Sequence, residues 1–149
     1  MTDAVLEEAA KLASEVIAPT NRDGDKFGAK LDATGNVTTA PGFKAAYRAL
    51  QGAGWCGAPF DPAYGGQGLP WVLCFALQEM WATANMAFSL CPLLTQGAVE
   101  VFATHGTEAQ KKLYLEKLAT GAWTGSMQLT EPQAGSDVGA LRLKAVRKD

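Results

Sequence analysis

The chain has 149 residues, 48% of them hydrophobic and 19% charged, enough for a compact domain that buries roughly two thirds of its unfolded surface. This composition excludes a disordered or collagen-like chain, and a net charge of −2 argues against nucleic acid as a partner. Cys56, Cys74 and Cys91 are odd in number, widely spaced and set among apolar neighbours, which fits reduced core thiols and a cytoplasmic setting better than a disulfide framework. The start, MTDAVLEEAAKLASEV, is acidic where a secretory leader is basic, and the apolar window from Trp71 to Leu77 is too short to span a bilayer.

In chain order, Asp3 caps a first predicted helix carrying Val5, Ala9, Leu12 and Val16 at helical spacing, and Pro19 ends it. Residues 20 to 40 lack periodicity and hold Asp23, Gly24, Gly28, Gly35 and Asn36, so they read as a long loop. Pro41 suits the first turn of a second helix whose one face carries Phe43, Ala46, Tyr47 and Leu50, ending near Gly52 to Gly54.

The next connection, WCGAPFDPAYGGQGLP, is dense in turn residues. Gly65, Gly66 and Gly68 can take positive φ there, but Trp71 stands where a dinucleotide fingerprint needs its third glycine, and no strand precedes it. Trp71 to Ala84 is apolar almost all round, the pattern of a central bundle helix. Asn85 ends it. A further apolar helix runs to Thr104, with Pro92 as either a first-turn residue or a kink. His105 and Gly106 form its cap. Thr107 and Gln110 make a capping box for a fifth helix with Tyr114, Leu115 and Leu118, stopped by Gly121.

From Thr124 the period changes. Gly125, Met127 and Leu129 alternate with Ser126, Gln128 and Thr130, and after EPQAGSDVGA a second alternation carries Leu141, Leu143 and Ala145 opposite Arg142, Lys144 and Arg147, so two strands are expected. Two strands alone are marginal. A mainly α chain is therefore expected, a helical domain over 1–122 followed at 123–149 by the truncated start of a β domain.

The string MQLTEPQAGSD, Met127 to Asp137, joins a strand end to a small-residue turn. Consecutive amides in such a turn can cradle an anion, and the Ser136 and Thr130 hydroxyls add donors. A plain strand-to-strand turn is the other reading of the same residues. Glu131 lies in that turn and reads as structural, not as a base. His105 reads as a helix cap, and the cysteines lack metal-ligand spacing. Arg142, Lys144 and Arg147 read as a solvated strand face.

At this string the sequence resembles the acyl-CoA dehydrogenase family, whose members carry a TEPxAGSD-type segment between an N-terminal helical domain and a middle β domain. PAYGGQGLP and HGTEAQKKLYLEKLATG are also similar to family segments, in the family's order. NRDGDKFG with GFKAAYRAL and GW resembles the 3-methylmercaptopropionyl-CoA dehydrogenase branch. The resemblance implies that Met127, Leu129 and Thr130 face the isoalloxazine ring of FAD, and that Gly135 and Ser136 meet the FAD pyrophosphate, with Ser136 also meeting the acyl-CoA. Many family members have an aromatic residue where Met127 stands. The implied parent reaction is α,β-dehydrogenation of an acyl-CoA, with electrons passing to an electron-transfer flavoprotein and a homo-oligomeric assembly. The family's catalytic glutamate falls beyond Asp149, so no residue here is assigned as the base. The rival expectation is a non-catalytic helical interaction module that retains the fold.

Overall fold

A computed structural model describes residues 2–148. It is mainly α, and each helix starts or stops on an identifiable local signal. The first rod is α1 (Thr2–Lys11), a π-helical turn (Leu12–Ile17) and α2 (Ala18–Phe27) in unbroken succession. Pro19 therefore does not end the helix, contrary to the sequence reading. Its ring should collide with the carbonyl four residues back, but the π turn widens the backbone just before it, and the Ala18 amide donates to Ala13 O five residues earlier. A mid-helix proline is tolerated where such a bulge removes the clash.

Because the helix continues to Phe27, only part of the expected loop remains, and it holds an antiparallel pair, β1 (Lys30–Leu31) and β2 (Val37–Thr38), with Lys30 opposite Thr38. Asp32 builds the turn. Its Oδ1 accepts from the Thr34 hydroxyl (2.7 Å), the Thr34 amide (2.8 Å) and the Asn36 amide (2.9 Å), and these donors hold its carboxyl below the ordinary range. Short polar side chains that bond their own turn are what make this local structure.

Helix α3 (Phe43–Gly52) starts after Gly42, which has φ 82°, so Pro41 lies before the helix and not in its first turn. Its buried Ala46 and Leu50 and half-buried Phe43 and Tyr47 form the expected face. In the following connection Gly65 and Gly68 have positive φ. Gly66 is required for another reason: a Cβ there would lie 2.0 Å from the Phe60 carbonyl oxygen.

Helices α4 (Trp71–Ala84) and α5 (Met86–His105) share Asn85 as the end of one and the cap of the other. Asn85 is 1% exposed. Its Oδ1 accepts from the Phe88 amide (3.0 Å) and its Nδ2 donates to Thr20 Oγ1 (2.9 Å), which in turn donates to Ile17 O (2.6 Å). One polar side chain thus closes a helix-helix corner and ties it to the first rod. Pro92 is buried inside α5, beyond its first turn. Helix α6 (Glu108–Ala119) begins with the capping box of Thr107 and Gln110. Gly106 is not left-handed (φ −69°), but a Cβ there would meet Phe102 O at 2.5 Å.

One core cluster joins the first rod, α3 and α4 through Ala9, Ile17, Leu50, Leu77 and Trp81, and a second joins α5 and α6 through Val99, Leu115 and Leu118. Helix α4 is covered on one side only: Cys74, Leu77 and Trp81 are buried while Val72 and Phe75 are exposed, so it is less enclosed than its sequence suggests. By length and composition α5, with a mean hydropathy of 1.4, could cross a membrane. Here it packs between α4 and α6 and buries polar Ser89 and Thr95. Of the cysteines, Cys56 and Cys74 are buried and Cys91 is exposed, so only two are core thiols. Burial pushes the pKa of the Cys56 thiol up to about 11 and raises that of the Tyr47 phenol, whose hydroxyl donates to Gly121 O (2.9 Å).

Residues 123 to 148 form no strand among the described residues, only a bridge between Glu131 and Ala134. The sole two-stranded sheet among the described residues is the hairpin at 30–38. Alternation marks a segment able to join a sheet, and a ladder needs neighbouring strands.

Candidate functional site

The site begins where α6 ends. Gly121 takes φ 71° and turns the chain back along the helix, and the Trp123 amide donates to Lys117 O (2.8 Å). The Trp123 ring lies under Lys117 Nζ (4.1 Å to the centroid) and beside Tyr114, which stacks on Phe102 with ring centroids 4.7 Å apart. A cation over an indole face is attractive, so this ladder fixes the direction in which the chain leaves the bundle. Next, the Gly125 amide donates to Thr95 Oγ1 on α5 (3.1 Å).

Met127, Gln128, Leu129 and Thr130 then line, with Leu94 of α5, an open concavity of about 330 Å³. Met127 and Leu129 are 62% and 41% exposed. Among the described residues, the main-chain amides from Met127 to Thr130 donate to no protein group. Free amides beside exposed apolar side chains suit the edge and face of a flat heterocycle.

The turn that follows is built by Glu131. Its main chain pairs with Ala134 in both directions (2.8 and 3.1 Å). Its carboxylate accepts from the amides of Arg142 (2.9 Å) and Leu143 (2.8 Å), and from Gln133 Nε2. Those backbone donors, Arg142 first, hold the Glu131 carboxyl below its ordinary value, the opposite of what a general base near neutrality needs. Its structural assignment from sequence agrees with this geometry. Asp137 closes a further turn by accepting from the Gly139 amide (3.1 Å).

Of the residues named from sequence, Met127, Leu129 and Thr130 share the concavity. Gly135 packs against Thr130, whose methyl would be 3.2 Å from a Cβ at that position. Ser136 is exposed on the turn and lies outside the concavity's lining. Among the described residues, the Gly135 and Ser136 amides have no hydrogen-bond acceptor, which leaves them available as a nest. Sequence reasoning missed Leu94, because nothing in an all-apolar helix tells which leucine faces a segment more than thirty residues away. Among the described residues, no three His, Cys, Asp or Glu side chains converge.

Residues 2–122 match the model of the acyl-CoA dehydrogenase N-terminal domain. The chain belongs to this family. It is 45% identical over 146 residues to the 3-methylmercaptopropionyl-CoA dehydrogenase of Ruegeria pomeroyi, a match that takes in 98% of this chain and 25% of that protein. Among solved structures, butyryl-CoA dehydrogenase from Megasphaera elsdenii superposes with a TM-score of 0.74 at 26% identity, over 95% of this chain and 35% of that one. A chain solved in work on the electron transferring flavoprotein of Acidaminococcus fermentans superposes with a TM-score of 0.78 at 27% identity, over 99% and 36%. The chain thus spans about a quarter of the length of the relative matched over 146 residues, and its family membership rests on the helical part.

Proposed function

We propose that the chain supplies the helical domain, 1–122, and the start of the middle β domain, 123–149, of an FAD-dependent acyl-CoA dehydrogenase that oxidises an acyl thioester to the enoyl-CoA. The observation that carries this reading is the concavity where Met127, Leu129 and Thr130 meet Leu94, within a chain of this family. The end of the family match at residue 122 supports the domain boundary.

The residues present fit a flavin: apolar side chains and unpaired amides at 127–130, then a small-residue turn whose Gly135 and Ser136 amides are free. FAD, when bound, would accept a hydride from the acyl β-carbon as the α-proton leaves. Met127 and Leu129 would hold the ring and keep water from it, and Thr130 would donate a hydrogen bond where negative charge develops. Gly135 and Ser136 would hold the pyrophosphate, Ser136 also meeting the acyl-CoA. None of this chain's residues serves as the base.

The same reading has acyl-CoA as substrate, an electron-transfer flavoprotein as acceptor, a homo-oligomeric parent and a cytoplasmic setting, with no nucleic acid partner. The 45% identity to the R. pomeroyi enzyme, with NRDGDKFG, supports the 3-methylmercaptopropionyl-CoA branch.

The test is a chimaera in which this chain replaces the matching quarter of the R. pomeroyi protein. It is expected to purify with flavin absorbance that bleaches on adding acyl-CoA. Thr130→Ala in the chimaera should slow the reductive step by about 100-fold, the scale of losing one preorganised donor. A folded chimaera devoid of flavin refutes the proposal. It would favour the interaction-module reading, for which the exposed apolar stripe of Met86, Leu90, Leu93 and Val101 on α5 speaks.

A further inference from the structure

We infer that Thr95 is a positioning residue: its buried hydroxyl transmits the register of α5 to the 127–130 segment through Gly125. This rests on the reading that those residues form the cofactor-facing surface. Thr95 is 5% exposed, and its hydroxyl works in both directions, donating to Cys91 O (2.9 Å) and accepting from the Gly125 amide (3.1 Å). A threonine hydroxyl bonded to the preceding turn of its own helix has its rotor fixed, so its lone pair faces the incoming amide at a set position. Helix geometry thereby fixes the height at which the segment crosses α5.

Gly125 answers from the other side. A Cβ there would stand 2.5 Å from Ala98 Cβ and 3.4 Å from Thr95 Cα, so only a glycine brings the main chain down to the hydroxyl. The adjacent Leu94 is the helix residue that lines the concavity. Thr95 therefore anchors the segment within one residue of the contact that closes the pocket wall. The aromatic ladder at Trp123 sets the direction of the chain, and the Thr95 contact sets its depth. In the rest of the segment to Thr130, the described main-chain amides make no bond to the bundle, which leaves this one as the polar tie.

The experiment compares the 149-residue chain with its Thr95→Val and Thr95→Ser variants by amide exchange and two-dimensional NMR. Valine keeps the volume and removes the acceptor. We expect Gly125 to exchange about fivefold faster in Thr95→Val, the equivalent of one ordinary hydrogen bond, with resonances of Met127 to Thr130 displaced. Serine should restore both, a rescue that mere side-chain packing would not give. Wild-type exchange and resonances in Thr95→Val overturn the inference. Should that variant lose the bundle, Gly125→Ala decides: displaced 127–130 resonances with an unchanged α6 uphold it, and unchanged ones overturn it. Riboflavin titrated into the wild-type chain separates the two readings. Absence of shifts at Met127 to Thr130 counts against the flavin site and leaves the exchange result for Thr95 intact.

Discussion

Replacing Asn85 by alanine removes a side chain that does two jobs at a fully buried corner. The cap to the Phe88 amide (3.0 Å) contributes about 1 kcal/mol. The bond from Nδ2 to Thr20 Oγ1 (2.9 Å) contributes about 1 kcal/mol more. The hole left at a 1% exposed position adds a further cost of about 1 kcal/mol. The sum, about 3 kcal/mol, lowers the urea midpoint by about 1.5 M for a slope near 2 kcal/mol/M. Urea titration followed by far-UV circular dichroism measures this, with an unchanged slope showing that the native and unfolded states keep their compactness. A cycle with Thr20→Val should give a coupling of about 1 kcal/mol, because the two side chains share one bond. A loss below about 1 kcal/mol, or strict additivity with Thr20→Val, refutes the assignment of Asn85 as the tie between the first rod and the α4–α5 corner.

Gly66→Ala forces a methyl to within 2.0 Å of Phe60 O, so this variant should lose more than about 3 kcal/mol or fail to fold, as read by thermal denaturation. Glu131 has a folded pKa below its ordinary 4.5, so its contribution is present above that value and is lost as pH falls through the lower folded one. The Arg142 and Leu143 amide resonances should then move together in an acid titration, and Glu131→Gln should abolish that movement. Cys56 is shifted the other way, from 9.0 to about 11. Its contribution is intact below pH 9.0 and is lost as pH rises toward 11, and Cys56→Ala should flatten that part of the stability profile. Tyr47→Phe should cost about 1 kcal/mol by urea titration, since it deletes the bond to Gly121 O that ties α3 to the end of α6.

The residues by themselves determined the positions of α4, α5 and α6, because their limits are local chemistry: Asn85 caps through its own amide neighbour, Thr107 and Gln110 satisfy each other, and Gly121 permits the reversal. The MQLTEPQAGSD string marked the candidate site for the same reason, its turn being closed by Glu131 and Asp137 within a few residues. Sequence failed at Pro19, where a breaker signal was overruled by a π turn that no periodicity reports. It also failed at 124–130 and 141–148, where alternation marks a capacity to pair and pairing belongs to neighbouring strands. Only the tertiary structure decided that Leu94 joins Met127 to Thr130 in one concavity and that Gly125 rests on Thr95. Those contacts depend on how α5 is rotated against α4 and α6, and a helix apolar on nearly every face leaves that rotation to packing.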